Sequence, residues 1–202
     1  MREHNWLAPT RVGHPHGPKA HDGTIKTSRV DEMWGTDMTT TLTTMEGNAA
    51  IFFAIDHCSL EVVGIHAAKR GTRFEALEPI RQGVRHSFGT FGKDVAKGLT
   101  LRHDHGSQFI ADDFQNEIKF LGIKDSASYV REPQGNGIAE RFVRILKENL
   151  LWIRSFNTVE ELRLALLAFK EVYNQQWRIG RHGYRSPAQV RKQQKAEVTK
   201  AA

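Results

Sequence analysis

The run Asn48–Asp56 (Asn-Ala-Ala-Ile-Phe-Phe-Ala-Ile-Asp) is apolar at seven consecutive positions. A short continuous apolar run of this kind is expected of a strand buried in a sheet. After only His57-Cys58-Ser59 comes a second stretch, Leu60–Ala67, where β-branched Val62, Val63 and Ile65 mark another strand. Three residues between two strands suffice for a hairpin. A further short strand signal, Met33–Thr39, precedes the pair. A chain that holds such strands must build a sheet and cover it, and the remaining segments supply the cover.

Thr72 to about Ser87 carries Phe74, Leu77, Ile80 and Val84 at spacings of three and four, the period of an amphipathic helix. Pro79 inside it costs helix stability and favours a bend. The loop Gly89–Gly98 leads to a strand at 99–103, and a short helix is expected over Asp112–Leu121, capped by Asp112 or Asp113. Ile123–Ser126 can form a last strand. A long helix is expected from about 137 to 154, and another opens at Thr158, where Thr158-Val159-Glu160-Glu161 has capping-box form. Periodicity thus establishes a mixed α and β chain.

With 202 residues the chain is long enough for one domain with a full core and too short for two large ones. No apolar stretch approaches the roughly 18 residues of a membrane span, and the N-terminus lacks a charged-then-apolar signal pattern. Cys58 is the only cysteine, so no internal disulfide can form, and a cytoplasmic, reduced setting is the default. The net charge of +6 is unevenly spread. Residues 1–30 carry five Lys or Arg against two acids, 31–177 carry 17 against 20, and 178–202 carry seven against one. Basic ends around a slightly acidic centre suit a protein whose extremities touch phosphates while its middle holds cations. Three regions follow: an extended basic N-terminal arm (1–30), a core (31–176) and a basic C-terminal tail (177–202).

Two acids close strands. Asp37 ends Met33–Thr39, and Asp104 ends the apolar strand of Leu-Thr-Leu-Arg-His-Asp-His-Gly-Ser-Gln-Phe (99–109). A third, Glu140, follows Asp104 after 35 intervening residues, near the start of the long helix. Two strand-end aspartates and a helix glutamate can chelate a pair of divalent cations, the arrangement that activates an attacking oxygen and stabilises a leaving one in phosphoryl transfer. All-oxygen ligation favours Mg²⁺ or Mn²⁺, two ions per site, over zinc. Gly106 lets the backbone turn after Asp104, while Ser107 or Gln108 can orient its carboxylate. His103 and His105 flank Asp104 on the opposite strand face and read as structural residues or substrate contacts. Asp56 also ends an apolar strand and reads as a hairpin-turn residue or one that supports the metal ligands from behind. On the helix, Arg144 and Lys147 share the face of Glu140 at i+4 and i+7.

The motifs Trp34-Gly35-Thr36-Asp37, Asp104-His105-Gly106-Ser107-Gln108-Phe109, Gly135-Asn136-Gly137-Ile138-Ala139-Glu140-Arg141-Phe142, and the tail from Tyr173-Asn174 to Ser186-Pro187-Ala188 occur in this order. Together they resemble the DDE transposase and retroviral-integrase superfamily, closest to insertion-sequence transposases with an integrase-like core. The resemblance implies a ribonuclease-H-like fold, a five-stranded mixed sheet flanked by helices, with the first and fourth strands adjacent and parallel. It implies metal-dependent nicking at transposon ends and DNA strand transfer, with Asp37, Asp104 and Glu140 as both metal ligands and catalytic residues. DNA contacts are expected from Arg144, Lys147, Tyr129, Gln134 and Asn136. The partners implied are transposon-end and target DNA and a homo-oligomer formed on DNA, with no membrane. Two alternatives share the same residues: a ribonuclease-H-like nuclease without strand transfer, and a catalytically silent DNA-binding remnant. The first stretch, Met1–Arg11, resembles the linker after an upstream helix-turn-helix, so the chain is expected to be a C-terminal portion that binds DNA with little sequence preference. His182 departs from the family pattern, which has leucine there.

Overall fold

The computed structural model describes residues 27–127 and 136–201. Three strands, β1 (Met33–Thr43), β2 (Gly47–Asp56) and β3 (Val62–Ala68), form an antiparallel meander. Helix α1 (Arg73–Phe88) then crosses to β4 (Thr100–His103), which pairs parallel with β1. Two short helices, α2 (Ser107–Ile110) and α3 (Asp112–Phe120), lead to β5 (Lys124–Ala127), parallel to β4. The sheet order is β3-β2-β1-β4-β5, the five-stranded mixed sheet expected from the sequence. Helix α4 (Gly137–Leu146) runs on into a π-helical turn, Lys147–Leu151, and is followed by α5 (Val159–Gln176) and α6 (Pro187–Ala201). No helix among the described residues is long and apolar enough to cross a membrane.

The seven apolar residues of β2 explain the layering. Ile51, Phe53 and Ile55 enter one core with Phe142 and Leu146 of α4 and Leu162, Leu166 and Tyr173 of α5. Ala50, Phe52 and Ala54 enter the other, with Leu77, Ile80 and Val84 of α1 and Phe114 and Ile118 of α3. Side chains alternate across a strand, so a strand apolar on both faces requires helices on both. Helix α1 sits so close to β3 that a Cβ on Gly64 would lie 2.0 Å from the Pro79 carbonyl oxygen. Pro79 is thus tolerated in a buried helix that presses its backbone onto a glycine.

Several boundaries differ from expectation for physical reasons. β1 continues past Thr39 because Thr40–Thr43 keep pairing with β2 as far as Thr43↔Gly47. Leu60 lies outside β3 with φ of 64°, as part of the turn rather than the strand. The N-cap of α3 is Ala111, with no side-chain capping bond, so Asp112 and Asp113 occupy the first turn instead. Acids there still interact favourably with the positive end of the helix dipole. The long helix expected to 154 stays α-helical only to Leu146. Half of the expected capping box is formed: the Thr158 hydroxyl accepts from the Glu161 N–H at 3.1 Å, while the Glu161 carboxylate accepts from the Asn157 N–H at 2.8 Å instead of that of Thr158.

Residues after 177 fold back onto the domain. A 3-10 turn at Gly180–His182 precedes α6, whose Arg191 is only 6% exposed. Its guanidinium donates to Asp31 Oδ2 at 2.6 Å and to Glu61 Oε2. Asn174, from the Tyr173-Asn174 pair, is buried, its Oδ1 accepting from Val62 N at 2.9 Å and its Nδ2 donating to Val62 O at 3.0 Å. The side chain completes both backbone bonds at the start of the edge strand β3, next to the register shift between Ala54 and Ile55.

Candidate active site

The parallel ladder aligns Met33 with Thr100, Trp34 with Leu101 and Gly35 with Arg102. Carried two residues further, the same register sets Asp37 beside Asp104. The strands end there differently. Asp37 lies within β1 and accepts the Met38 N–H on Oδ1 at 2.7 Å. Asp104 lies one residue past β4 and is exposed, its Oδ1 accepting the Gly106 N–H at 2.9 Å.

Helix α4 is tied to the same strand. Asn136, its N-cap residue, donates from Nδ2 to the Thr36 carbonyl at 3.1 Å, one residue before Asp37. A Cβ on Gly35 would lie 2.9 Å from His57 Nε2 and 3.1 Å from Asn136 Oδ1. The glycine of Trp34-Gly35-Thr36-Asp37 is therefore the space into which the helix start fits. Ile138, Ala139, Phe142 and Leu146 bury the inner face of α4, and Glu140 projects outward in its first turn.

Electrostatics join the three acids. Burial pushes the Asp37 carboxyl up to about 6 from an ordinary 3.8; the Met38 N–H opposes the rise, and the charges of Asp104 and Glu140 add to it. Lys147, at the π turn, draws it back down. Each neighbouring carboxylate makes the Asp37 anion harder to form, as expected where like charges gather. No group of three or more His, Cys, Asp or Glu among the described residues converges to ligating distance of one metal ion. The chemistry of the set nonetheless fits a hard divalent cation: three carboxylates, all oxygen, with Asp37 carrying the raised pKa that a neighbouring cation would relieve.

Other expected residues divide. Orientation of Asp104 comes from the Gly106 backbone; among the described residues neither Ser107 nor Gln108 bonds to its carboxylate. Ser107 is exposed and opens α2, whereas Gln108 is buried, its amide packed where a Cβ on Gly106 would come within 2.4 Å. Asn136 is only 5% exposed, so it ties the helix to β1 instead of facing DNA. Arg144 is exposed and pairs with Glu148 at 2.7 Å. Lys147 is half-buried on the side from which its charge reaches Asp37. Tyr129 and Gln134 lie outside the described residues. His103 is fully buried, with Nδ1 2.5 Å from the Asp104 carbonyl oxygen, Nε2 2.6 Å from Asp125 Oδ1, and its ring against Phe109 and Phe114. It anchors the backbone of Asp104 from the opposite face, a role for which only its place beside the acid was a signal. Asp56 is a turn residue: it is buried, accepts from Ser59 N and Oγ and from Asp31 N, and pairs across the ladder with Trp34, three residues before Asp37.

Residues 121–187 match the integrase core domain family. Over 194 residues the chain is 25% identical to the transposase InsD for insertion element IS2A/D/F/H/I/K of Escherichia coli, which covers 96% of this chain and 64% of that protein. The chain thus spans just under two thirds of that relative's length. A solved chain of the simian T-cell lymphotropic virus intasome in complex with PP2A regulatory subunit B56 gamma superposes with a TM-score of 0.69 at 19% identity, covering 88% of this chain and 60% of that one. The HTLV-2 integrase catalytic core domain in complex with magnesium superposes with a TM-score of 0.59 at 17% identity, covering 82% of this chain and 99% of that one. The chain therefore has the ribonuclease-H-like fold, matches the integrase core domain family over residues 121–187, and is distantly similar, along nearly its whole length, to insertion-element transposases.

Proposed function

We propose that the chain is the catalytic core of a DDE-type DNA transposase, in which Asp37, Asp104 and Glu140 hold two Mg²⁺ or Mn²⁺ ions. One observation carries the proposal. The β1–β4 ladder pairs Gly35 with Arg102, two residues before Asp37 and Asp104, and Asp37 is held near a pKa of 6 in the field of both Asp104 and Glu140. When bound, the metal pair supplies charge to the attacking and leaving oxygens of an in-line displacement at phosphorus. The protein's own residues do the rest. Asp104 and Glu140 present exposed carboxylates whose charges are felt by the half-buried Asp37. The Gly106 N–H fixes one oxygen of Asp104, and His103 fixes its carbonyl. Lys147, whose charge reaches Asp37, and Arg144, three residues earlier and paired with Glu148, would supply the positive charge that a phosphate backbone meets on approach. Without those cations, three carboxylates would repel a polyanionic strand. Such a core acts on transposon-end and target DNA and assembles as a homo-oligomer on it.

The test is incubation of the full chain with labelled duplexes from the DNA flanking its gene, in Mg²⁺ or Mn²⁺. Nicked ends that become joined to a second duplex are expected. Nicking without joining would replace the transposase with a hydrolytic nuclease, and binding without either would leave a silent DNA-binding protein. Lys147→Ala should weaken DNA binding regardless of sequence and lower the salt slope by about one unit.

A further inference from the structure

A cavity of about 330 Å³ lies beside α4, on the flank next to Glu140, and the proposed chemistry leaves it unused. Its wall includes Arg141 and Phe142 of α4, Tyr173 near the end of α5, and Trp177, Arg178 and Arg181 beyond it. Among the described residues that line it, three are arginines and none is acidic. Arg141 makes no ion pair or side-chain hydrogen bond with any described residue. Arg181 is fixed, donating to the carbonyls of His57 at 2.6 Å and Cys58 at 2.8 Å. Burial lowers the Arg181 pKa, and the nearby charge of Arg141 contributes to the same direction. Two guanidinium groups that repel each other in a cavity with no acid among its described lining residues are a setting that an anion would stabilise.

The rest of the lining includes an aromatic row. Tyr173 and Trp177, four residues apart, stand 5.8 Å apart between ring centroids at 34°, and Phe169, outside the lining, continues the row along α5. Phe142 meets Tyr173 edge-on at 5.2 Å. Trp177, at the C-cap of α5, is the half-buried end of this row and faces the cavity. An aromatic plane next to guanidinium groups that meet no described carboxylate, Arg178 bonding only neutral oxygens of Tyr184 and Gln189, matches a flat base attached to a phosphate. The volume lies within the range of about 300–1,000 Å³ typical of small-ligand sites.

We propose that this cavity takes one unstacked nucleotide of a DNA strand, its base against Trp177 and its phosphate on Arg141 and Arg178. The proposal rests on the reading of the chain as a DNA-acting core and names a contact within it. Arg141 follows Glu140 in α4 and is turned about 100° from it, so a nucleotide held here lies on the helix flank adjoining the acid's face. Discrimination comes from the unpaired state, because a paired and stacked base cannot turn its face to Trp177.

The experiment measures affinity of the full chain in EDTA for two fluorescent duplexes, one blunt and one carrying three unpaired nucleotides at one end. The overhang duplex should bind at least about fivefold more tightly, within the range that base stacking on an aromatic side chain provides. Trp177→Leu and Arg141→Gln should each abolish that preference while retaining affinity for the blunt duplex; Asp104→Asn should keep the preference. Arg178→Gln, at an exposed position, repeats the test with little risk to folding. Equal affinity for the two duplexes, or a preference that survives all three pocket variants, overturns the proposal. Metal-dependent cleavage that persists in such a case leaves the transposase reading standing. A clear overhang preference without any cleavage keeps the pocket and removes the enzyme.

Discussion

At the scale of single residues the decisive group is Asp37. Its folded pKa of about 6 lies above the ordinary 3.8, because burial and two neighbouring carboxylates disfavour its charge. Between those values the folded protein keeps a proton that the unfolded chain has released. The stability this group contributes is therefore complete below about pH 3.8 and lost as the pH rises through about 6. Asp37→Asn escapes the loss. In EDTA near pH 8 the variant should be more stable than the wild type by up to about 3 kcal/mol, with the gap closing near pH 4. Melting curves across that range are the check, and parallel curves would count against the charge cluster. The three acids could be picked out in the sequence because each stands in a short motif whose order is informative. Asn136 could not: its amide looks like a polar loop group until the helix start is seen packed against Gly35, with Nδ2 on the Thr36 carbonyl. That contact joins residues separated by 100 positions, and no local pattern encodes it.

At the scale of elements, β2 was legible because an all-apolar run can satisfy only a strand covered on both faces. The parallel pairing of β1 with β4 was not; periodicity says nothing about which strands become neighbours, and only the family resemblance implied it. Helix α2 is four residues long, too short for any periodicity, and the π turn after Leu146 keeps the apolar spacing of an ordinary helix closely enough to hide. Tyr173-Asn174 was recognisable as a motif without a reason. The reason is that Asn174 supplies both backbone partners of Val62. Asn174→Ala should leave that N–H and C=O buried and unpaired at a cost of about 2–4 kcal/mol. Urea denaturation would measure it, and a cost under about 1 kcal/mol would mean that water replaces the amide.

At the scale of the whole molecule, the basic end of the chain is part of the fold. Arg191 reaches across from α6 to Asp31 before β1 and Glu61 before β3, and His86 of α1 stands 3.4 Å from Glu61. Burial acts to raise the pKa of Asp31 and Glu61, yet Arg191, with His86 at Glu61, holds both below their ordinary values, so both acids are charged at neutral pH. Composition displayed only a surplus of cations after residue 177. Which of them turns inward depends on acids more than a hundred residues away. Arg191→Ala would strand two buried carboxylates, and a loss of about 3–5 kcal/mol is expected, with α6 becoming the earliest site of limited proteolysis. An unchanged melting temperature and cleavage pattern would show that the helix is held by its apolar contacts alone.

The account as a whole stands on three carboxylates from two strands and a helix acting as one metal site on DNA. The most direct measurement is the Mn²⁺-dependent nicking rate of labelled duplex DNA by the wild type and by Asp37→Asn, Asp104→Asn and Glu140→Gln, each shown to be folded by its melting curve. The account predicts that all three variants fall by at least about a hundredfold, since each removes one ligand charge without opening a cavity. A folded Asp104→Asn protein that cuts at a rate comparable to the wild type would contradict it.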